Sequence, residues 1–116
     1  MKHRSKGRKF GRKTDVRRAL MRSLAVALVK SEKIKTTEAK AKELRPFIEK
    51  MLTKAREANL ANRRAVASKI GIISTKKLFD KIAPKFKDTK GGYTRISKLP
   101  PRKGDASKMA VIEFVK

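Results

Sequence analysis

The feature that most limits what this chain can fold into is its charge. Lysine and arginine hold 34 of 116 positions against ten aspartates and glutamates, a formal net charge of +24. A small soluble domain stays in solution with a net charge of about 2 to 8. A larger one of a single sign opposes compaction by self-repulsion. A polyanion bound to the folded state is the simplest compensation. Nucleic acid is the first candidate and an anionic membrane the second.

Enough apolar side chains remain to build a core. They make up 39% of the chain, so it is more than a basic tail. The length suits one domain. There is no cysteine, which removes disulfides, thiol chemistry and cysteine-bearing zinc sites together. The longest apolar run, Leu24 to Val29, is far short of the ~18 residues of a membrane span. No apolar segment follows the charged start as a signal peptide requires.

Residues 1–13, MKHRSKGRKFGRK, carry seven of the cations and no acid, without apolar periodicity. They are expected to form a flexible basic arm ahead of one compact domain over 14–116. Thr14, as a cap, then opens a helix whose apolar positions are Val16, Leu20, Leu24, Ala27 and Leu28. Lys33 to Thr36 reads as a strand. Thr37 caps a second helix with Leu44, Phe47, Ile48, Met51, Leu52 and Ala55 on one face. Pro46 is expected to kink it without ending it, because the stripe keeps its phase. Asn59 caps a third helix that uses Leu60, Val66 and Ile70 and stops at Gly71. Ser74 caps a fourth, with Leu78, Phe79 and Ile82 inward and Pro84 at its end. Tyr93 to Leu99 and the nearly all-apolar Met109 to Val115 read as two strands paired as a hairpin with a long loop. The expected fold is α+β: four helices on a small sheet of about three strands, ordered α-β-α-α-α-β-β, with a basic N-terminal extension.

Catalytic chemistry has little to stand on. The one histidine, His3, lies in the arm, where nothing holds it as a general base or metal ligand must be held. The ten acids are scattered and form no metal-binding loop. Lys90-Gly91-Gly92 lacks the spacing of a P-loop, although paired glycines let a backbone approach a phosphate closely. No enzyme, metal or cofactor is expected.

The basic residues carry the functional case. Those of the arm are Lys2, His3, Arg4, Lys6, Arg8, Lys9, Arg12 and Lys13, with Gly7 and Gly11 relieving the backbone between them. Arg17, Arg18 and Arg22 continue the charge along the first helix, and further cations lie on the exposed faces of the second and third helices and in the Lys98 to Lys103 loop region. Lys90, Gly91, Gly92, Tyr93 and Arg95 form a second group, and Arg102 and Lys103 a third, in the loop before the last strand. No helix-turn-helix, zinc finger, RNP aromatic pattern or GXXG loop is present, and aromatics are only 5% of the chain. What remains is phosphate-led binding to a folded RNA. A DNA-compacting protein and a membrane-active cationic protein stand as alternatives, the latter weakened because the charge is spread over several elements.

Four blocks resemble one family. The opening MKHRSKGRKFGRK resembles the start of the bacterial large-subunit ribosomal protein seventeen family. So does Ile34-Lys35-Thr36-Thr37 running into Ala39-Lys40-Ala41-Lys42-Glu43-Leu44-Arg45-Pro46. Gly91-Gly92-Tyr93-Thr94-Arg95-Ile96 is similar as well, and so is Arg102-Lys103-Gly104-Asp105-Ala106 before Met109 to Glu113. The blocks occur in the family's order over nearly the whole chain. The resemblance implies a structural role in the large subunit, in the cytoplasm and bound to the ribosome near the peptide exit. It implies large-subunit ribosomal RNA and neighbouring large-subunit ribosomal proteins as partners, with no membrane and no small-molecule substrate. It also implies RNA contacts from Lys2 to Lys13, from Lys40 and Lys42, and from Gly91 to Arg95.

Overall fold

A computed structural model describes residues 14–116. The expected flexible arm, residues 1–13, lies outside the described residues. Helix α1 spans Thr14–Ser31, strand β1 Lys33–Thr37, helix α2 Glu38–Glu57 and helix α3 Leu60–Lys77. A π-helical turn over Leu78–Ile82 and a 3-10 turn over Ala83–Phe86 come next, then β2 (Thr94–Leu99) and β3 (Met109–Phe114). The sheet is antiparallel in the order β1-β3-β2. The most apolar strand, β3, is central. Its Ala110, Ile112 and Phe114 join Ile34 and Ile96 on the face that meets the helices.

Side-chain caps fix two helix starts. Thr37 Oγ1 accepts from the Lys40 amide at 3.3 Å, and Asn59 Oδ1 from the Asn62 amide at 2.8 Å. Because α1 already includes Thr14, that residue sits within the helix and not before it. The corner between α1 and β1 is Glu32, whose left-handed backbone (φ 64°) lets its amide bond back to the Leu28 carbonyl. Its carboxylate takes Lys77 at 3.3 Å and Lys85 at 3.5 Å. Helix α2 runs unbroken through Pro46, as the phase of its stripe requires, and buries Ala41, Leu44, Ile48, Met51, Leu52 and Ala55.

The structure corrects the sequence reading in three places. First, α1 buries Met21, Ala25, Leu28 and Val29, while Val16 is exposed and Leu24 is only partly buried. Two overlapping stripes of helical period run along this helix, and only packing against α2 and α3 selects between them. Second, Leu60 is exposed and stands outside the core. Third, there are three α-helices among the described residues and not four. No separate helix begins at Ser74. That residue is buried, and its carbonyl accepts from the Leu78 amide as part of α3. The segment expected to be a fourth helix continues α3, widens into the π turn and tightens into the 3-10 turn. Leu78, Phe79 and Ile82 do face inward. Pro84 supplies no N–H to the Asp80 carbonyl, and its ring crowds that position. The chain widens instead, with the Ala83 amide on the Leu78 carbonyl.

Gly71 marks a break inside α3, with φ 85° and ψ 169°. Had the helix stayed regular, Ile73 and Ser74 would both continue the buried face of Val66 and Ile70. The break rotates the next turn of the helix, so Ser74 and Thr75 point inward and Ile72 and Ile73 point out. Thr75 satisfies its hydroxyl on the Gly71 carbonyl at 2.6 Å. Leaving two isoleucines in water forgoes about 1.5–3 kcal/mol each.

Candidate nucleic-acid interface

Three shallow grooves meet around Phe47, where α1 and α3 flank α2. Volumes of about 360, 350 and 480 Å³ lie side by side. Arg17, Arg18 and Arg22 enter from α1, Lys50 and Lys54 from α2, and Lys69 from α3. Lys50 and Lys54 stand four residues apart and so share one face of α2. Among the described residues the only acid lining these grooves is Glu43, which holds Arg17 at 3.3 Å. A cationic trough with an apolar floor and six basic side chains from three helices suits a phosphate backbone, since charge-assisted contacts converge there without aligned carboxylates to repel it.

The sequence named the α1 half of this trough, but pointed to the faces of the second and third helices without singling out Lys50, Lys54 or Lys69. Lys50 and Lys54 were legible as an i,i+4 pair flanking the apolar stripe of α2 on the side of Phe47. Lys69 was not, because nothing in its local sequence says that α3 brings it to Phe47.

The second group divides. Lys90, Gly91, Gly92 and Arg95 are exposed. Gly92 is left-handed (φ 64°) with open space where a side chain would be, so the backbone there is accessible. Tyr93 is a correction. It is 1% exposed, its ring sits edge-on to Phe86 at 5.4 Å, and its hydroxyl takes Arg56 and Thr53 at 3.2 Å each. It is a core residue whose ring no base can reach. Arg56 also donates to the Lys87 carbonyl at 3.2 Å, which ties down the turn leading to Gly91. Its Nε is buried without a partner. Glu49 clamps the next residue, accepting from the Thr94 amide at 3.2 Å and its hydroxyl at 2.8 Å.

In the third group Arg102 is committed to its own loop. Its guanidinium grips Asp105 through two bonds of 3.1 and 2.9 Å. That contact and the Ser107 amide hold the Asp105 carboxyl well below the usual range and raise Arg102. Lys103 stays exposed beside it. Lys42 bonds Glu38 at 2.8 Å and lowers that carboxyl, while Lys40 is half-buried at the start of α2. Lys2, His3, Arg4, Lys6, Arg8, Lys9, Arg12 and Lys13 all lie outside the described residues. Among the described residues no acidic cluster could hold a metal ion, and no helix is long and apolar enough to cross a membrane.

The model of the family described as ribosomal protein L17 matches residues 20–115. The chain belongs to the ribosomal protein L17 family. Three curated relatives carry the name large ribosomal subunit protein bL17. That of Nautilia profundicola is 48% identical, covering 99% of this chain and 98% of its own. That of Campylobacter concisus is 51% identical over the same shares. That of a Hydrogenobaculum species is 50% identical and covers 99% of both chains. In each case the match runs over almost the whole chain.

Proposed function

We propose that this chain is a non-catalytic structural constituent of the large ribosomal subunit, binding and stabilising large-subunit ribosomal RNA. Family membership over almost the whole chain carries the reading. The cationic trough around Phe47 gives it a physical basis. Arg18, Arg22, Lys50, Lys54 and Lys69 lie along one continuous surface, while the exposed Gly91-Gly92 backbone and Lys90 and Lys103 offer further phosphate contacts. The arm residues Lys2 to Lys13 add seven cations, and their contacts anchor the domain. Arg17, Lys42, Arg95 and Arg102 contribute less, each already held by a carboxylate. Neighbouring ribosomal proteins complete the environment, on ribosomes in the cytoplasm.

The test is sedimentation of the tagged full-length chain with large subunits after a high-salt wash. It is combined with competition between ribosomal RNA fragments and bulk duplex DNA at fixed salt. Retention on large subunits and a preference for the RNA are expected. Loss in the wash together with equal partition onto duplex DNA would replace the reading with that of a DNA-compacting protein.

A further inference from the structure

Between α1 and α3, a groove of about 980 Å³ opens at the Gly71 break. Its walls are apolar: Val26 and Val29 from α1, Ile70, Ile72 and Ile73 from α3. Ile72 is 81% exposed and Ile73 88%, the two most exposed large apolar side chains among the described residues. Arg22, Lys30 and Lys77 line it as well, and among the described residues no acid does. Lys77 is engaged by Glu32 at 3.3 Å, whereas Arg22 and Lys30 pair with no carboxylate among the described residues.

A fold that turns Ser74 and Thr75 inward and two isoleucines outward sets local packing against the apolar pattern of its own helix. Such conflicts collect at functional surfaces. We propose that this groove docks a segment of another protein that carries an aliphatic anchor flanked by carboxylates. The anchor would sit on Ile72 and Ile73, and the carboxylates would meet Arg22 and Lys30. Charge decides among possible occupants. A second copy would bring the same cationic rim and a net charge of +24 against its own kind. RNA would gain the rim but leave both isoleucines against a phosphate backbone that offers them nothing. Arg22 also lines the Phe47 trough, so the docked segment would lie where the protein surface passes into the RNA-facing one.

The inference stands apart from the ribosomal reading, and its test needs no ribosome. The full-length chain is titrated by NMR at physiological salt with two end-capped peptides, Glu-Glu-Leu-Leu-Glu-Glu and Glu-Glu-Ser-Ser-Glu-Glu. Their charge is equal, so binding to the general basic surface cancels between them. The leucine peptide is expected to bind about tenfold or more tighter, a difference of about 1.4 kcal/mol, with its shifts centred on Val26, Ile72 and Ile73. The double variant Ile72→Ser/Ile73→Ser should abolish the difference while leaving the thermal midpoint nearly unchanged and RNA-fragment affinity within about twofold of the parent, as expected for exposed positions. Lys30→Glu should weaken the leucine peptide and favour a Lys-flanked analogue. Equal binding of the two peptides, or a difference that survives the double variant, overturns the proposal. So does self-association, or binding to anionic vesicles, that the double variant abolishes while the peptides show no difference.

Discussion

Tyr93→Phe tests the core placement of Tyr93, a residue that the sequence reading grouped with the RNA contacts. The substitution keeps the ring against Phe86 and removes only the hydroxyl, which takes Arg56 Nη1 and Thr53 Oγ1 at 3.2 Å each. A neutral hydrogen bond is worth about 0.5–1.5 kcal/mol net and one to a charged group about 1.5–3. The full sum overstates the loss, because both bonds are long and Thr53 is exposed enough to bond water instead. Arg56 is half-exposed but already carries an unpartnered Nε, so it has little slack. A loss of about 1–2 kcal/mol results. For a domain of this size that lowers the thermal midpoint by roughly 4–16 °C. The assay is a melt followed by circular dichroism, with affinity for a ribosomal RNA fragment measured far below the midpoint. Affinity should stay within about twofold, since a ring that is 1% exposed cannot stack on a base. An unchanged melt with a tenfold loss of RNA affinity would refute the placement of Tyr93 in the core.

The remaining predictions address the trough, the break and the loop. Lys50→Gln, Lys54→Gln and Lys69→Gln together should lower the slope of log affinity against log salt by about 2–3, at about 0.7–0.9 for each phosphate no longer neutralised. Lys42→Gln with Arg102→Gln should change it by less than about 1, because Glu38 and Asp105 already hold those cations. Gly71→Ala places a side chain in a backbone region that only glycine enters freely and should cost about 1–3 kcal/mol in urea unfolding. The carboxyl of Asp105 is depressed in the fold, so its stabilisation of the 102–107 loop is complete above the ordinary aspartate value and is lost as pH falls through the folded one. Carbon-13 titration should accordingly give a midpoint well below ~3.9, and a midpoint at or above that value would contradict the Arg102 grip.

The legibility of each feature in the sequence depends on how far its signal reaches. Caps at Thr37 and Asn59 act over three residues, and both were legible. The central position of β3 was legible from its lack of polar alternation. The buried face of α1 was not, because two stripes of equal period compete and the choice rests on contacts with α2 and α3. The missing fourth helix has the same cause. Gly71 reads locally as a terminator, and its backbone does break. Yet the break resets the phase and the helical run continues, with Pro84 shaping its far end through the π turn. The functional surface repeats the lesson. Counting cations correctly predicts a polyanion partner but treats all 34 alike. Folding sorts them: Arg102 and Lys42 are spent on carboxylates within their own elements, whereas Lys50, Lys54 and Lys69 converge from two helices on Phe47 with no acid between them. The affinity of such a chain for RNA is therefore set less by its total charge than by which cations the fold leaves without an internal partner. Charge-neutralising substitutions of equal number should differ in effect according to that sorting.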